Sequence, residues 1–136
     1  MEEVAKIKFL KWAVVGLVIA ILTLTILEFP APIGFETRPQ DNVSLVWLGL
    51  FIIILITEIA SLVFIFKKPN LGGKLGIAAA FLNTLQVVAD QAHLMQPETA
   101  PFGYLLLEDT VVIASVALAY FSWRVIVGSK SINPIT

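Results

Sequence analysis

Residues 43–66 read VSLVWLGLFIIILITEIASLVFIF, an apolar run broken by a single charge, Glu58. Crossing about 30 Å of hydrocarbon takes about 20 such residues in a helix, because lipid offers no partner to an unpaired backbone group. The run therefore reads as a membrane span. Working outward from it, three further stretches meet the same demand: about 9–27, about 75–95 and about 102–123. Composition agrees, since 58% of the 136 residues are hydrophobic and only 14% charged, against roughly a quarter charged in soluble domains. Such a balance is hard to reconcile with a water-soluble domain and excludes disorder. The absence of cysteine excludes a disulfide-stapled or Cys-ligated zinc domain. The expected fold is all-α, a single integral membrane domain over residues 1–136, with four antiparallel helices in a bundle.

Lys6, Lys8 and Lys11 precede the first apolar run, as in a secretory signal. However, Glu2 and Glu3 spoil a basic leader, and Phe29-Pro30-Ala31-Pro32 is a poor cleavage site, so the run is read as a true span. Basic residues divide sharply by side. Those three lysines, Lys67, Lys68 and Lys74 between spans two and three, and Arg124 and Lys130 after span four fall on one side, and only Arg38 on the other. An excess of Lys and Arg marks the cytoplasmic face, which places both termini there, in the plasma membrane if the source is prokaryotic. Trp12 and Trp123 at the inner boundary, with Trp47 and Tyr104 at the outer, suit aromatic belts. The segment Lys67 to Gly73 reads as a turn-rich inner loop, and Pro30, Pro32, Gly34 and Pro39 predict an extended outer loop from Glu28 to Asn42. Asn42-Val43-Ser44 matches a glycosylation sequon, but its acceptor falls almost at the membrane surface, and chance occurrence is the simpler reading.

Ionisable groups inside a span are costly and point to function by default. Glu58 lies about 22 Å along its span, near the midplane, with Thr57 and Ser61 close by. It could bind a proton or cation, or serve as a protonated carboxyl that hydrogen-bonds across the bundle. Asn83, Gln86, Asp90 and His93 are spaced 3, 4 and 3, which lays them on one stripe of span three. That stripe cannot face lipid. Glu108, Ser115 and Ser122 form a heptad seam on span four that could meet it. His93, Asp90, Glu108 and Asp109 would then make an outer-leaflet cluster able to take a divalent metal or a quinone headgroup, or to relay protons.

Other chemistry is pushed down. His93 is the only histidine, so bis-histidine haem cannot form within one chain. Neither a glycine-rich phosphate loop nor a G-x-S-x-G element is present. Lys67, Lys68 and Lys74 read as a topology signal with weak attraction to anionic lipid, not as a nucleic-acid patch. Gly76 and Ala78–Ala80 on span three, with Ala114, Ala117 and Ala119 on span four, permit close helix packing. In size alone the chain is similar to the small multidrug transporters, whose membrane glutamate lies in the first helix. Span one here carries no acid between Lys11 and Glu28, so no residue role carries over.

Small size and the lack of catalytic signatures lead to the expectation of a non-enzymatic subunit or assembly partner of a larger membrane complex, plausibly respiratory or electron-transfer. Its partners would be the lipid bilayer and other membrane subunits or copies of itself. The alternatives are a proton- or cation-coupled small transporter using Glu58, and an outer-leaflet quinone or metal redox protein using His93, Asp90 and Glu108.

Overall fold

A computed structural model describes residues 1–132, apart from the side chain of Asn42, so the sequon acceptor lies outside the described residues. Four long helices pack against one another: α1 (Glu2–Leu27), α2 (Leu45–Lys67), α3 (Pro69–Gln91) and α4 (Phe102–Ile132). Each is long and apolar enough to cross a membrane. α3 lies between α2 and α4, α4 packs on both α1 and α3, and the α1–α2 contact is smaller. Trp12 meets Phe66 with ring centroids 5.1 Å apart, and Gly73 sits against Ser122 and Ile126. These contacts define a termini end. The opposite, loop end carries residues 28–44 and 92–101.

The buried positions follow helical arithmetic. On α4 they are Tyr104, Glu108, Val111, Ser115, Leu118, Ser122 and Val125, an unbroken 4-3 heptad alternation that includes the seam read from the sequence. On α2 they are Ile54, Glu58, Ser61 and Ile65, and on α1 the apolar wall runs through Leu10, Val14, Val18 and Ile21. Large side chains such as Ile52, Ile56, Phe81, Ile113 and Val116 point outward. In water such a surface would aggregate; in lipid it needs no cover.

Three local expectations are corrected. The inner loop is absent: α2 ends at Lys67, α3 starts at Pro69, and only Lys68 lies between. Pro69 occupies the first turn, where its missing N–H costs nothing. Gly72 and Gly73 then serve packing instead of a turn: a Cβ on Gly72 would lie 2.5 Å from the Ile65 backbone. Second, α3 stops at Gln91, short of residue 95. His93 takes a left-handed backbone with φ 59°; its N–H donates to the Asp90 carbonyl and that of Leu94 to Ala89, closing the helix as a glycine usually does. Third, the outer loop is folded, not extended. Ala31 N–H donates to the Glu36 carbonyl, Glu36 N–H to Phe29 and Phe35 N–H to Leu27, which turns residues 36–38 back toward the bundle.

Candidate functional site

That returning loop delivers the feature the sequence reading missed. Arg38, with Glu36 and Asp90, is buried at the loop end. Its guanidinium forks onto both acids: Nη2 donates to Asp90 Oδ2 at 2.7 Å and to Glu36 Oε2 at 2.6 Å, Nη1 to Asp90 Oδ1 at 3.0 Å, and Nε to Glu36 Oε1 at 3.0 Å. Nη1 also donates to the Glu98 carbonyl at 3.1 Å, tying in the second loop. Burial works against its charge, but its hydrogen bonds to Glu36 and Asp90 outweigh that and hold the guanidinium protonated. The cation lies 5.1 Å from the centroid of Tyr104. Tyr104 is therefore a buried platform and not an interfacial belt residue.

Around this clasp lies a cleft of about 320 Å³, walled by Glu28, Phe29, Trp47, Phe51, Gln86, Met95 and Tyr104. Trp47 Nε1 donates to the Leu94 carbonyl at 3.0 Å, fixing the α2 wall to the end of α3. Beneath the cleft, and sharing Glu28, Gln86, Asp90 and Tyr104 with it, is a second cavity of about 20 Å³ that reaches Asn83 and Glu108. That is room for about one water molecule between polar residues and the apolar Phe51, Ile54, Val87 and Val111. Glu28, just beyond α1, has a buried Oε1 with no hydrogen-bond partner. Burial first, then the charges of Asp90, Glu36 and Glu58, pushes its carboxyl up to about 8.

Asn83 forms the floor. Its Nδ2 donates to Glu58 Oε1 at 2.7 Å and to the Ala79 carbonyl at 3.0 Å. Glu58 is fully buried, and its second oxygen, Oε2, has no partner. Deeper still, Ser61 donates to the Gly72 carbonyl at 2.9 Å, while the hydroxyls of Ser115 and Ser122 are buried without one. Asp90, Gln86 and Asn83 thus line the small cavity below the Arg38 clasp, and Asn83 hydrogen-bonds Glu58, which does not itself line it.

Of the predicted stripe, Asn83 and Asp90 are buried within the chain and Gln86 half-buried. The bundle and the returning loop cover these residues, so the stripe does not by itself demand a partner. His93 leaves it: the left-handed cap takes its ring off the helical face, and it is exposed. Glu108 is buried, and Gln91 Nε2 donates to Glu108 Oε2 at 3.3 Å and to the exposed Asp109 at 3.0 Å. Among the described residues no group of three His, Asp or Glu side chains is disposed to hold a metal ion. Of the expected cluster, Asp90 and Glu108 are buried and line one cavity, His93 and Asp109 are exposed, and Asp90 is paired with Arg38. The signal was present in the sequence as the lone basic residue on an otherwise acidic side.

Compared with known proteins, the chain matches no family model, no curated protein and no solved structure.

Proposed function

We propose that the chain crosses a membrane four times with its termini on the cytoplasmic side, and that it is a proton- or cation-coupled carrier in which Glu58 binds the coupling ion. The basic termini end and acidic loop end support the orientation. One observation carries the function: a fully buried carboxylic side chain, held through one oxygen by Asn83 and unpartnered at the other, with Asn83 itself lining the small cavity beneath the loop-end cleft. A purely structural carboxyl would be expected to satisfy both oxygens across the bundle. Here one site remains for an ion, and Asn83 orients it.

The test is reconstitution into vesicles loaded with a pH-reporting dye, imposing a sodium, a potassium and a tetraethylammonium gradient in turn. At least one gradient should drive proton movement in the native protein, and Glu58→Gln should abolish it. The amide still accepts from Asn83, so this variant keeps the fold. Proton movement that survives Glu58→Gln, or none with any of the three gradients, contradicts the proposal.

A further inference from the structure

The lysines at the termini end take no part in the loop-end site, yet they frame two adjoining grooves. One, of about 500 Å³, has an apolar floor of Val4, Ile7, Trp12, Phe66 and Ile132, with Lys8 and Lys11 at its rim. The other, of about 510 Å³, is lined by Lys67, Lys68 and Lys74 together with Asn70 and Leu71. Pro69 and Ser129 belong to both, so the grooves meet along one ridge. Both ion pairs among the described residues are made by Arg38 at the far end. The five lysines are therefore uncompensated, and the acids described at this end are Glu2 and Glu3, in the first turn of α1.

We propose that this surface binds an anionic phospholipid bearing two phosphates, one against Lys8 and Lys11 and the other against Lys67, Lys68 and Lys74. A soluble anion would have no use for the apolar floor, whereas a lipid places acyl chains along Trp12 and Phe66 and its phosphates at the lysine rim. Lysine suits this role because its methylene stem lies on the apolar wall while the ammonium reaches the headgroup layer. Each lysine near an anionic surface contributes enough for about a fivefold change in binding. Two basic walls separated by the Pro69–Ser129 ridge match two phosphates better than one. The site requires only that the helices lie in a bilayer; it does not require Glu58 to move an ion.

Native mass spectrometry of the full chain in mild detergent, with cardiolipin, phosphatidylglycerol and phosphatidylcholine added in equal amounts, tests it. Cardiolipin should be retained over phosphatidylglycerol, and that over phosphatidylcholine. Lys67→Gln/Lys68→Gln/Lys74→Gln should lower cardiolipin retention at least about tenfold, and Lys8→Gln/Lys11→Gln should remove the preference over phosphatidylglycerol. These side chains are exposed or half-buried, so the variants fold. Equal retention of phosphatidylcholine, equal retention of the two anionic lipids, or unchanged binding in both variants overturns the assignment. Displacement of bound cardiolipin by millimolar inorganic phosphate would also overturn it, by assigning the lysines to a free anion.

Discussion

Replacing Arg38 by Gln should cost about 3 to 5 kcal/mol of stability, read from unfolding in mixed detergent micelles. Both of its acidic partners are buried, so removing the guanidinium leaves Glu36 and Asp90 as like charges without a counter-ion. The loss exceeds that of a surface ion pair because water cannot replace the missing partner. Arg38→Lys should fall between the two. It restores charge but not the fork that holds Asp90 and Glu36 together, nor the flat contact over Tyr104. A loss under about 0.5 kcal/mol for Arg38→Gln, the range of an ordinary surface substitution, would mean that the clasp is open in the native protein.

The second large effect falls on glycine. Gly72→Ala should destabilise the bundle by about 1 to 3 kcal/mol or more, because the new Cβ lies 2.5 Å from both Cα and N of Ile65. Backbone cannot swing aside, so α2 and α3 must separate, and the bond from Ser61 to the Gly72 carbonyl is strained with them. Gly16→Ala is the matched control. Nothing lies within 4 Å of a Cβ at that exposed helical position, so the change should stabilise by about 0.5 to 1 kcal/mol through helix propensity. Opposite signs for one chemical change separate packing from propensity. Equal effects at both positions would refute the close approach.

The features legible in the sequence are those set by local arithmetic. Apolar length located the four helices, spacings of 3 and 4 placed Asn83, Gln86 and Asp90 on one face, and spacings of 7 placed Glu108, Ser115 and Ser122 on a seam. The missed features depend on what a segment meets in space. Gly72-Gly73 beside Pro69 resembles a turn because in water that pairing usually is one. Within this bundle the same residues let neighbouring helices touch. His93 continues the helical stripe by count, and no glycine or proline precedes Pro97 to announce the earlier stop. Most consequential was Arg38, read only as a topological exception. Its partner Asp90 is 52 positions away, and the pairing exists because the loop's own hydrogen bonds turn it inward.

The carrier reading requires that water reach the Asn83–Glu58 pair from the loop side. Because the chain contains no cysteine, a single Gln86→Cys substitution reports on this without background. Gln86 lines both the cleft and the cavity beneath it. In sealed vesicles of known orientation, a membrane-impermeant thiol reagent should modify Gln86→Cys from the loop side, while Ala78→Cys, on the exposed face of the same helix, stays unmodified within the lipid. Protection of Gln86→Cys from the loop side, or modification only from the termini side, would contradict a path from the Arg38 clasp to Glu58.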